Sequence, residues 1–174
     1  MKLINIIIAI HEWIKKLFLV ISGIALVGMM LFISLDVGLR NIIGSSIPGS
    51  YEYAENYFMP FIVFPALAFV YTTGILPRVL NLVSKFPNQF QHKANLCLRI
   101  IDLIIFTLIF YFSLKYAIDG TIQGKAFVAG GNLVPLYPAL FIAPLGVFVL
   151  LVEIIIETIK DIKFKRLFPD QVDE

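Results

Sequence analysis

Cysteine and histidine are almost missing from this chain of 174 residues: Cys97 is its only cysteine, and His11 and His92 are its only histidines. A single cysteine excludes an internal disulfide and a cysteine metal cluster. Two histidines, both outside the long apolar stretches, leave no facing pair to ligate haem inside a helical bundle. Charge is scarce as well, at 15% of residues against roughly a quarter in soluble domains. The formal charge of +2 is too small to point to nucleic acid. No ionisable group stands at the centre of an apolar stretch. Asp36, Asp102, Lys115 and Glu153 fall near the ends, which argues against a self-sufficient proton-coupled exporter with a mid-span carboxylate. No stretch holds a histidine or a carboxylate pair to serve a nucleophile. The chain reads as non-enzymatic, without cofactor or metal.

What is present is apolar. Hydrophobic residues make up 59% of the chain and the mean hydropathy is +0.90. Four apolar stretches, at about 17–35, 57–76, 100–118 and 133–152, each approach the ~20 residues a helix needs to cross the hydrocarbon core. Runs such as Leu103-Ile104-Ile105-Phe106 and Phe148-Val149-Leu150-Leu151-Val152 do not alternate as barrel strands would. The fold class expected is an all-α integral membrane protein, one membrane domain over 1–174 with four transmembrane helices. The first stretch reads as a true span, because Asp36-Val37-Gly38-Leu39-Arg40 is no small-residue cleavage site.

Eleven of the fourteen Lys and Arg residues sit in three segments: Lys2, Lys15 and Lys16; Arg78, Lys85, Lys93 and Arg99; Lys160, Lys163, Lys165 and Arg166. Basic residues favour the cytoplasmic side, so both termini are expected there. The segments around Arg40 and around Lys115 and Lys125 then face outward.

Residues 2–16 carry a second pattern. Lys2, Asn5, His11, Glu12, Lys15 and Lys16 share one half of a helical wheel, while Leu3, Ile6, Ile7, Ile10, Trp13 and Ile14 fill the other, with Ile4 and Ile8 as exceptions. This predicts an N-terminal interfacial amphipathic helix, with Trp13, Lys15 and Lys16 as its membrane-interface anchors. The other reading is a helix that lengthens a tilted first span. Joined straight, the two pieces would measure ~50 Å, so a bend near Lys15 and Lys16 is expected. A shorter amphipathic run follows the second span, with Val79, Leu82, Val83 and Phe86 at helical spacing before Pro87.

Asp36 and Arg40, four apart, can pair on one helical face, either ending the first span or meeting a partner. Ser50 is a candidate N-cap for the second span, with Glu52 in its first turn. Tyr51, Tyr53 and Tyr57 with Glu52 and Glu55 form either an aromatic belt at the bilayer surface or a docking surface. Arg99 and Asp102, three apart, are expected to pair locally. Pro60 and Pro65 interrupt the second stretch and Pro144 the fourth, each favouring a kink. Gly120, Gly124, Gly130 and Gly131 make the second outward connection glycine-rich, without the lysine spacing of a phosphate loop.

Several of these segments, in this order, resemble one family. Asp36-Val37-Gly38-Leu39-Arg40 closes the first span, Pro48-Gly49-Ser50-Tyr51-Glu52 opens the second, and Gly74 lies near its inner end. A glycine-rich outer loop then runs to Pro135 and Pro144-Leu145-Gly146. The chain is similar in this to the small membrane subunit, DctQ type, of tripartite ATP-independent periplasmic (TRAP) transporters. It departs at Gly74-Ile75-Leu76-Pro77-Arg78, where many members follow the glycine with a histidine and an aspartate.

The resemblance implies a multi-pass subunit of a bacterial inner (cytoplasmic) membrane. Its implied partners are a large multi-span membrane subunit, which carries the sodium and substrate sites and moves as an elevator, and a periplasmic substrate-binding protein that delivers an organic acid. The small subunit braces the large one and helps receive the binding protein. On that reading Tyr51, Glu52, Tyr53 and Glu55 form part of the docking surface, and Asp36 and Arg40 hold the loop that carries it. The other classes open to such a chain are a structural subunit of a different membrane complex and a small self-associating channel or exporter.

Overall fold

The computed structural model describes the backbone of residues 2–73 and 88–167 and the side chains of residues 8–73 and 97–159. Four of its helices are long and apolar enough to cross a membrane: Ile8–Ile43, Ser50–Thr72, Cys97–Ile122 and Tyr137–Ile159. The amphipathic run at 79–86 and the departure at 74–78 lie outside the described residues.

Helix α1 runs unbroken over Lys2–Ile43. At 1.5 Å per residue its 42 residues extend about 63 Å, twice the ~30 Å hydrocarbon thickness. The helix continues without a break through Lys15 and Lys16, where the sequence predicts a bend. No Gly or Pro interrupts residues 2–22, and sharp kinks need such a residue or an inserted group. The helix stops at Gly44, whose φ of 76° is a conformation glycine takes without steric cost. Its N–H closes on the Arg40 carbonyl at 3.1 Å, the usual C-terminal glycine device.

The second span joins α2 (Ser50–Tyr53) to α3 (Met59–Thr72) through a π-helical turn at Ala54–Phe58. The wide turn has a local cause. Pro60 has no N–H to give and its ring crowds the carbonyl four residues back, so the Met59 N–H reaches the Ala54 carbonyl instead. One residue is thereby accommodated before regular winding resumes. Ser50 does not cap this span. Gly49 does, in the left-handed region at φ 81°, and its carbonyl accepts the Tyr53 N–H at 3.0 Å.

Helix α4 covers Asn88–Ile122. After it the glycine-rich connection forms an antiparallel hairpin of β1 (Ala126–Ala129) and β2 (Asn132–Pro135). Gly130 and Gly131 make its two-residue turn at φ 57° and 87°, the positive angles that match strand twist. The short α5 (Tyr137–Leu140) and then α6 (Ile142–Leu167) complete the described residues. The fourth span therefore begins later than 133, and Pro144 falls in the first turn of α6. A proline there removes an N–H that has no partner within α6, and the span is interrupted just before it, at Phe141 between α5 and α6.

Helix α3 packs against both α1 and α6, and α6 against both α3 and α4. The middle pair holds the core: Ala68 and Tyr71 with Val149, Leu150 and Ile154, covered by Ile14 and Phe18 of α1 and Leu103 and Phe106 of α4. Between Gly146 and Phe64 the α6 and α3 backbones nearly touch, with 2.6 Å between the Phe64 carbonyl carbon and the place a Cβ would occupy. Small residues permit such approach in lipid, where apolar burial supplies no drive between helices.

Candidate functional site

Polar chemistry gathers at the two ends of the bundle. At the hairpin end, Asp36 is buried and its Oδ1 accepts the Ile47 N–H at 2.6 Å. Its Oδ2 lies 3.8 Å from Nη2 of the exposed Arg40. Asp36 thus ties the segment after α1 back onto the helix. That segment interlocks with the hairpin: a Cβ on Gly49 would sit 2.6 Å from that of Ala129, and one on Gly130 would sit 2.9 Å from the Pro48 carbonyl carbon. Beneath the seam, Tyr53 meets Phe127 edge-on at 5.8 Å and Phe32 at 6.5 Å, and stacks on Tyr57 at 6.2 Å. The Tyr57 hydroxyl donates to the Pro135 carbonyl.

The candidate docking residues are divided by this geometry. Asp36 and Arg40 come together, and Tyr53 is part of the platform's aromatic interior. Tyr51 is 71% exposed, Glu55 is exposed and Glu52 partly so. Replacing Asp36 with alanine is expected to cost about 1–3 kcal/mol, since the partly buried Ile47 donor loses a charged acceptor. Thermal unfolding in detergent would register the loss, and the Ile47 amide should exchange with solvent faster than in the parent.

The opposite end, where α1 begins and α6 finishes, holds a cluster that sequence reading missed. Glu153 is 2% exposed, Lys15 2% and His11 6%. The Glu153 Oε2 lies 2.9 Å from the Lys15 Nζ and 2.7 Å from the His11 Nε2. An ionised carboxylate only accepts, so Nε2 carries the proton in this pair. Lys15 donates a second time, to Glu12 Oε1 at 2.7 Å. Nearby helices add further links: the Tyr71 hydroxyl donates to Asp102 Oδ2 at 3.2 Å, and Arg99 Nη2 lies 3.6 Å from Glu157 Oε2. Arg99 and Asp102 each reach another helix, beyond the local pairing expected of them.

Glu153 was read as a span-end group within reach of water, and it is instead enclosed by the bundle. The signal was available, because the apolar run continues past it through Ile154-Ile155-Ile156. Of the three candidate anchors, Trp13 and Lys16 point outward and Lys15 points inward. Among the described residues no group of three His, Cys, Asp or Glu side chains is placed to hold a metal. The site consists of interhelical ion pairs and an aromatic platform, an arrangement suited to holding helices and surfaces in place.

Comparison with known families decides what that arrangement serves. Residues 29–164 match the family model described as Tripartite ATP-independent periplasmic transporters, DctQ component. The chain belongs to this family. It is a non-catalytic membrane component of a TRAP transporter, with four candidate spans. No curated protein matches it closely enough to add a relative. The match takes in the hairpin end, most of α1 beyond the ion cluster, and Glu153. His11, Glu12 and Lys15 lie ahead of it.

Proposed function

We propose that this DctQ component is the fixed scaffold of a sodium-coupled secondary transporter in a bacterial inner membrane. In this reading both termini are cytoplasmic, a large elevator subunit carries sodium and substrate, and a periplasmic binding protein delivers an organic acid to the hairpin end. Membership of the family sets aside the other membrane complexes and the self-associating channel.

The observation that carries the reading is the build of the hairpin end. A buried carboxylate, a backbone interlock and an aromatic interior hold the platform in one shape, while Tyr51, Glu52 and Glu55 remain on its surface. Charges at the rim of an interface chiefly set encounter rate and orientation. Reversing both acids, Glu52→Lys with Glu55→Lys, is expected to slow uptake roughly threefold to tenfold at limiting binding protein, with recovery as its concentration rises. Uptake by the reconstituted transporter in liposomes measures this. Unchanged uptake at limiting concentration would remove these acids from the docking surface.

A further inference from the structure

Residues 8–17 of α1 are built inside out. Ile10, Trp13 and Leu17 are 55%, 66% and 42% exposed, while His11 and Lys15 are among the most buried side chains of the helix. Two members of the polar face that would lie toward water in an interfacial helix, His11 and Lys15, are turned onto Glu153 of α6, while Lys16 stays outside. Only Ile14 and Phe18, partly buried against the core, give this segment apolar anchorage. The turn toward α6 follows the charged groups.

Neither side of the cluster is comfortable alone. A lysine or a glutamate enclosed by apolar helices is unfavourable unless it finds a partner. Before α6 is in place, the segment carrying His11, Glu12, Lys15 and Lys16 has the amphipathic pattern of a helix lying in the interface. Glu153, arriving on the last span, is equally unaccommodated until Lys15 and His11 close on it. Each cancels the penalty of the other. Around them Arg99 lies beside Glu157 and the Tyr71 hydroxyl donates to Asp102, while Glu153 is the carboxylate of α6 that meets His11 and Lys15 of α1.

We propose that residues 8–17 are a docking arm with two positions, interfacial and bundle-bound, and that Glu153 is the acceptor which draws the arm into the bundle once α6 has inserted. The continuous α1 is the docked position. The first and last spans are thereby locked together by a contact that forms only when the whole chain is in the membrane.

The test uses the full chain, purified with the membrane subunits that accompany it and placed in nanodiscs. Cys97 is replaced by serine and spin labels are set at Ile10 and Ile159, two outward-facing positions. The parent is expected to give one narrow distance distribution. Glu153→Gln and Lys15→Gln should each add a second, longer population of comparable size, because losing one partner of a buried pair shifts such an equilibrium by about tenfold or more. The exchanged pair, Lys15→Glu with Glu153→Lys, should return the narrow distribution. A single narrow distribution in both glutamine variants would overturn the proposal. Should neither variant be recovered folded, the exchanged pair decides: recovery with the narrow distribution supports the lock, and failure to recover rejects it.

Discussion

Glu153→Leu is expected to be the most damaging single substitution at the terminal end of the bundle, lowering stability by about 3–5 kcal/mol. The leucine itself fits an apolar helix well. The loss arises at Lys15, 2% exposed, which keeps its charge and loses the acceptor 2.9 Å away. His11 loses its partner in the same step. Glu12 remains as a second acceptor for Lys15, which places the effect toward the lower end of that range. A fall in melting temperature on the order of 10 °C follows for a chain of this size, measurable by thermal unfolding in detergent or bicelles. The double variant Lys15→Met with Glu153→Leu should recover most of the loss, because apolar replacement of a whole buried pair is often neutral or better. Groups that share an acceptor do not contribute additively, so that recovery is the informative quantity. Equal losses in the single and double variants would mean that packing, and not charge, holds this region.

The helices themselves were legible because a bilayer admits few structures: an unbroken apolar run of span length must satisfy its backbone internally. The Asp36–Arg40 pair was legible for a similar reason, since helical spacing alone brings the two together. The larger role of Asp36, accepting the Ile47 N–H, was hidden because it depends on how the chain folds back after Gly44. The hairpin could have been found. Ala126-Phe127-Val128-Ala129 and Asn132-Leu133-Val134-Pro135 flank Gly130-Gly131, a spacing that signals a two-residue turn. The facing of residues 8–17 could not, because a wheel shows which residues share a side and leaves open whether that side meets water or another helix. In lipid polar groups can turn inward, and here His11 and Lys15 do. Sequence therefore named residues that the fold brings to the hairpin end, Asp36 with Arg40 and Tyr53 beside Phe127, while the buried cluster depended on which helix became the neighbour of which.

Gly146 offers the second large effect and shows how the family resemblance becomes physical. Pro144-Leu145-Gly146, one mark of the resemblance among several, is a place where the backbones of α6 and α3 come close. A Cβ on Gly146 would lie 2.6 Å from the Phe64 carbonyl carbon and 2.9 Å from its Cβ, and closer still to the carbonyl oxygen. The obstacle is mostly backbone, which cannot swing aside as a side chain would. Gly146→Ala is expected to cost about 1–3 kcal/mol by forcing the two central helices apart. Gly146→Leu should exceed that and leave little folded protein. Gly23 and Gly38 of α1 supply the control, because a Cβ there meets nothing within 4 Å. In those helical positions alanine should stabilise by roughly 0.5–1 kcal/mol through reduced backbone freedom. Thermal unfolding of the three alanine variants should thus give opposite signs for one chemical change. Since α3 begins just after the π-helical turn and α6 carries Glu153, separating them would disturb both ends at once. Binding-protein-dependent uptake and the Lys15–Glu153 contact should both fail in Gly146→Leu. A Gly146→Ala variant as stable as the parent would mean that the close approach is not what holds the middle of the bundle together.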